Sequence, residues 1–195
     1  MPRSAQFDRS QALNAALKLF WARGYSATAL PDLLQAMGIA RSSFYASFGS
    51  KRELFIECLE LFGERTLQGI AAREDSLPPG QLPRAFFENT LLEPSRQRVA
   101  QGCMMVNSVL ELSEVDAELS EFAASRLDLI ESFFARCFTD AQTSGALDSQ
   151  RSPKELAQLV MTINLGLRVQ SRKNPSREYL QSIVDSSLDL LGLTA

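Results

Sequence analysis

The stretch from Thr28 to Lys51 limits what this chain can become more than any other. Leu30, Leu33, Leu34 and Met37 recur at helical spacing and give one apolar face. Thr28 stands where an N-cap is needed, its hydroxyl able to accept from a first-turn N–H. Pro31 is tolerable only in that first turn, where no N–H is missed. Gly38 follows the apolar run and can take the positive φ of a helix end, and Ile39 plugs the corner. A second helix is predicted from about Arg41 to Phe48, with Phe44 and Phe48 facing inward. Arg41, Ser42, Ser43, Tyr45 and Ser47 then fall on its other faces, a composition suited to base edges and phosphates. Helix, glycine turn and short helix is the layout of a helix-turn-helix, whose second helix enters the DNA major groove. The spacing by itself also fits a plain helical hairpin.

The rest of the chain narrows the choice. Its 195 residues suffice for one or two domains, and no apolar run reaches the roughly 18 residues of a membrane span. The N-terminus lacks the apolar core of a signal peptide, so a cytoplasmic protein is expected. Cys58, Cys103 and Cys137 are odd in number and widely spaced, unlike a disulfide framework or zinc site. There is no histidine, which excludes Ser-His-Asp and Cys-His catalysis and the common histidine metal sites. No enzyme, metal or cofactor is expected.

A net charge of −3 looks wrong for a DNA binder, but it is unevenly spread. Residues 1–52 carry seven basic and two acidic side chains, a balance of +5; the remainder carries thirteen and twenty-one, a balance of −8. A basic end would face phosphate while the acidic end is repelled. Arg3, in a short polar arm, is a further candidate for phosphate or the minor groove.

In chain order, a first helix is predicted over about 8–23, closed by Gly24, with Trp21 and Tyr25 as core or interface residues. Ser50 caps a long helix over 51–73, with Glu53 as its capping-box partner and Lys51 beside the open amides of its start. A loop at 74–80 precedes a helix over 82–99 that Pro94 kinks or splits. Further helices are read over 103–112, from after a break at 113–116 to about 144, over 152–171 and over 177–191, the third opened by a Ser152-Pro153-Lys154-Glu155 capping box. Nothing reads as a strand. The expectation is an all-α chain of about nine helices, with a three-helix helix-turn-helix unit at 1–50 and a larger ligand-binding and dimerisation domain at 51–195.

Gly24-Tyr25, Thr28, Asp32-Leu33, Gly38-Ile39, Ser43-Phe44-Tyr45, Phe48 and Ser50-Lys51 together resemble the DNA-binding domain of TetR/AcrR-type transcriptional regulators over residues 8 to 58. One position departs: the family commonly has Ser or Thr where this chain has Ala40. Ala40 cannot cap, so either Ser42 caps late or the helix start is looser.

The resemblance implies a homodimer on palindromic double-stranded DNA, paired through the last two helices at about 152–192, and a repressor rather than an activator. It assigns Arg41, Ser42 and Ser43 to base edges and Thr28, Tyr45, Ser47 and Lys51 to phosphates. It also implies a small-molecule pocket in the body. Phe86, Phe87, Met104, Met105, Phe122 and Phe134 are candidate apolar walls, and at this spacing they fit plain core equally. Asn107, Asn164 and Arg168 are polar groups within apolar helical segments, bonded either to a ligand or within the protein. Cys103 is predicted in the first turn of a helix, a setting that favours thiolate. Gly102-Cys103 and Asn107 also resemble a subgroup that includes repressors sensing electrophiles through a cysteine. The expected function is therefore a DNA-binding regulator released by a small molecule, an electrophile or modification of Cys103. The rival readings are a helical interaction protein and a cysteine-dependent enzyme, neither binding DNA.

Overall fold

The computed structural model describes residues 7–193, so the position of Arg3 lies outside the described residues. Ten α-helices and no strand occur among them. Helix α1 (Arg9–Arg23) starts at Asp8, whose carboxylate accepts from the Ser10 and Gln11 N–H groups at 2.9 and 3.0 Å. It stops at Gly24, at φ +84°, where a Cβ would run into the Glu111 carboxylate. Helices α2 (Leu30–Met37) and α3 (Arg41–Phe48) meet at Gly38, which is left-handed. Phe20, Leu33, Phe44, Phe48 and Phe55 form the core beneath them, with Phe20 edge-on to Phe55 at 4.9 Å.

Helix α4 (Lys51–Ala71) leaves this head at Ser50, whose Oγ accepts from Glu53 N–H at 3.1 Å. It packs on α1 at one end and on the body at the other. A 3₁₀ turn (Pro79–Gln81) runs into α5 (Leu82–Phe87) and a π-helical turn (Glu88–Leu92). Pro94 splits the expected 82–99 helix, and α6 (Arg96–Ala100) is the separate tenth helix. Helices α7 (Met104–Leu112) and α8 (Ala117–Thr143) pack together, and α9 (Pro153–Ser171) lies along α8. The Ser152–Glu155 capping box forms as predicted. Helix α10 (Arg177–Leu190) closes over α5 and the π turn. Phe86, Phe134 and Phe138 centre the body core. Among the described residues no helix is long and apolar enough to cross a membrane.

Candidate DNA interface and body cavity

Phe44 and Phe48 sink into the head and leave Arg41, Ser42 and Tyr45 exposed, with Ser43 and Ser47 half-buried. Arg41 lies 5.9 Å from the Tyr45 ring. Helix α3 begins at Arg41 with Ala40 as a bare N-cap, so Ser42 does not cap late. No side chain takes the first-turn amides, which stay available to an anion. Lys51 reaches back over Tyr25, its ammonium 4.3 Å from the ring, and burial pulls its pKa down.

Thr28 requires a correction. Its hydroxyl donates to the Gly24 carbonyl at 2.7 Å and its side chain is fully buried, so it neither caps α2 nor presents itself to phosphate. Ala29 holds the N-cap position, and the Asp32 carboxylate accepts from its N–H. The head's positive charge is also partly spent internally. Arg9 pairs with Glu57 at 2.8 Å, Arg23 with Asp32 at 3.6 Å, and Arg52 with Asp116 and Glu118.

The body holds a cavity of about 130 Å³ directly beneath the head. Leu17 and Trp21 of α1 form part of its wall. Cys103, Asn164 and Arg168 line it. The remaining candidates divide. Phe86 and Met105 face the space, whereas their neighbours Phe87 and Met104 turn into the core or toward a separate cleft. Phe134 is stacked on Phe138 within the core, and Phe122 lies against Arg126 at 4.7 Å. Asn107 is consumed by the turn before α7: its Nδ2 donates to the Gln101 carbonyl at 2.8 Å and its Oδ1 accepts from Arg172.

Arg168 is buried with no carboxylate in ion-pair range among the described residues. Its Nε donates to Asn164 Oδ1 at 3.1 Å and its Nη1 to the Thr90 carbonyl at 2.9 Å. That carbonyl lies in the π turn, and the residue four positions on, Pro94, has no N–H to offer it. Burial lowers the Arg168 pKa, partly opposed by the nearby Cys103. Cys103 itself is the N-cap of α7, one position before the predicted first turn. Burial pushes the Cys58 thiol far up and Cys137 to about 11.

Polar contacts tie the head and the start of α4 to the body. The Glu111 carboxylate accepts from the Tyr25 and Ser26 N–H groups at 3.1 and 2.7 Å, an approach that Gly24 permits. Trp21 Nε1 donates to the Gly102 carbonyl at 3.1 Å, next to Cys103. Arg52 bridges to the start of α8. Trp21 could be read as an interface residue from sequence, but Glu111, Arg65 and Arg98 carried no local pattern that set them apart from solvated charge.

The chain is similar to known proteins over its length. Residues 12–58 match the family model for bacterial regulatory proteins, tetR family, and residues 82–186 match the tetracyclin repressor-like C-terminal domain. The uncharacterised HTH-type transcriptional regulator YezE of Bacillus subtilis is 29% identical, over 98% of this chain and 100% of that protein. The HTH-type transcriptional repressor ComR of Escherichia coli is also 29% identical, over 96% of this chain and 90% of its own. Among solved structures, a cysteine mutant of the regulator CifR complexed with 26-bp double-strand operator DNA superposes with a TM-score of 0.80 at 28% identity, covering 96% of this chain and 98% of that one.

Proposed function

This chain belongs to the TetR family of bacterial regulatory proteins and is a DNA-binding transcriptional regulator, and from that premise we propose a homodimeric repressor that leaves a palindromic operator when its body cavity is occupied or Cys103 is modified. The observation that carries this reading is the cavity wall itself. Leu17 and Trp21 belong to α1 of the head, so an occupant touches the DNA-binding unit directly. A molecule that fits only one placement of the head shifts the population toward that placement.

Residues 1–50 act as the reader and 51–195 as the sensor and dimer body. Arg41, Ser42 and Ser43 read base edges, while Tyr45, Ser47, Lys51 and the open amides of α3 hold phosphate. Leu165 and Val169 of α9 and Tyr179 and Leu190 of α10 are exposed large side chains, Leu190 at 81%. An isologous pairing of these helices would cover them and set two α3 helices about one DNA turn apart. CifR, 28% identical to this chain, is known in complex with 26-bp double-strand operator DNA, which supports the DNA-binding part of this reading.

The deciding measurement is an electrophoretic shift on the DNA upstream of the protein's own gene. One retarded species holding two protomers is expected, lost on addition of a thiol-reactive electrophile. Absence of any sequence-dependent shift removes the reading.

A further inference from the structure

The charge of the cavity identifies the class of molecule it takes. Arg65, Arg98 and Arg168 line it, and no aspartate or glutamate does. An adjoining cleft shares Arg65 and Arg98 and adds Lys18, again with no acid. None of these four cations makes an ion pair among the described residues. Such a concentration of one sign is unexpected in a chain whose residues after 52 carry −8, and a cleft of one sign gathers ions of the other.

Arg168 is the built part of this site. It is 7% exposed, and its two bonds go to neutral oxygens, which orient the guanidinium without neutralising it. Its Nη2 makes neither bond. Every fully sealed side-chain nitrogen and oxygen among the described residues has a partner, so Nη2 keeps some accessible surface, and Arg168 lines the cavity. A buried charge without a counter-charge is costly, and a ligand that brings a carboxylate relieves it. Because Asn164 and Thr90 already fix the guanidinium plane, little freedom is lost on binding.

We propose that the cavity binds a small monocarboxylate with an apolar body, its carboxylate on Nη2 of Arg168 and its ring or short chain against Phe86, Met105 and Leu127. Arg65 and Arg98 draw the anion in. The size agrees: about 130 Å³ is close to the ~150 Å³ of an apolar cavity that holds benzene. Phosphate fits less well, since apolar walls cannot replace the water a dianion gives up. The inference deepens, and rests on, the reading of this cavity as the effector site.

Trp21 is the chain's one tryptophan and lines the cavity, so its fluorescence reads occupancy without DNA present. Full-length protein is titrated with benzoate, with neutral benzamide of the same shape, and with inorganic phosphate. Benzoate is expected to saturate at a concentration at least about tenfold lower than benzamide, and phosphate to give no saturable change. R168M is expected to erase the benzoate preference. R65Q is expected to weaken benzoate roughly two- to threefold and leave benzamide alone, and together with the wild-type comparison it decides the matter even where R168M does not fold. Equal affinity for benzoate and benzamide, saturation by phosphate in the same range, or no response to benzoate below about 10 mM overturns the proposal. A benzoate response in a protein that shifts no operator keeps the carboxylate site and discards the repressor; an operator shift with no benzoate response discards the carboxylate alone.

Discussion

Helices α3 and α7 begin alike and are treated in opposite ways. Asp8, Ser50, Ser95, Asp116, Ser152 and Ser176 each cap their helices by accepting a first-turn N–H. Helix α2 has Asp32 bonded back to its N-cap, and α5 grows out of a 3₁₀ turn. Only α3, at Ala40, and α7, at Cys103, have neither device among the described residues. The start of α3 is exposed and nothing braces it. The start of α7 is buried, and Asn107, Arg172 and Trp21 all bond the Gln101–Gly102 turn just before it. One open end faces where DNA would lie and is free to adapt. The other is a rigid wall of the cavity, joined to the head through Trp21. A cap forgone costs roughly 1 kcal/mol, and it is forgone at one exposed helix start and one that borders the cavity.

The most damaging way to break this contrast is at Arg41. R41A should lower operator affinity about 10- to 100-fold and relax base preference at one position per half-site, read by fluorescence anisotropy on substituted operators. Undiminished, equally selective binding would mean that the exposed face of α3 is not the reader.

The buried end is tested next. Cys103 looks onto open space, Cys58 is sealed with its thiol pushed far up, and Cys137 is raised to about 11 beside Glu74. Mass-resolved labelling with iodoacetamide at neutral pH should modify Cys103 at least about tenfold faster than either. Comparable rates at all three would leave α7 as ordinary core. A smaller effect is expected at Lys51. K51A should weaken binding a few-fold without changing sequence preference and reduce the salt slope by about one phosphate; an unchanged slope would assign Lys51 to its contact with Tyr25 alone.

How much of this could be read beforehand follows from the range of the interactions. Helix starts such as Ser50 and Ser152 are local chemistry over three or four residues, and they lie where the sequence puts them. Phe44 and Phe48 are set by helical period in the same way. Thr28 misled because a hydroxyl two residues before a helix can either accept from a first-turn N–H or donate to an upstream carbonyl, and donation to the Gly24 carbonyl won. The cavity was half legible. Arg168, Asn164 and Cys103 stood out as polar groups in apolar runs, but Phe86 rather than Phe87, and Met105 rather than Met104, depends on a 100° rotation that period alone cannot fix between two adjacent apolar residues. Glu111 was invisible because its partners, the Tyr25 and Ser26 amides, lie more than eighty residues away.

The finest test adds the missing caps. A serine at either N-cap should accept a first-turn N–H and stabilise the free protein by about 0.5–1 kcal/mol, which is roughly 1–4 °C in Tm for a chain of this size. If the two ends differ only in their surroundings, A40S and C103S will raise Tm alike and do nothing else. If the open amides of α3 hold a phosphate, A40S will raise Tm while lowering operator affinity about two- to fivefold, because the new hydroxyl occupies the N–H that the phosphate would use. C103S should leave operator affinity untouched in the absence of effector and abolish release by electrophiles. A gain in operator affinity for A40S would show instead that the start of α3 is loose in the free protein and is ordered by capping, in which case its amides are braced for DNA and do not contact it.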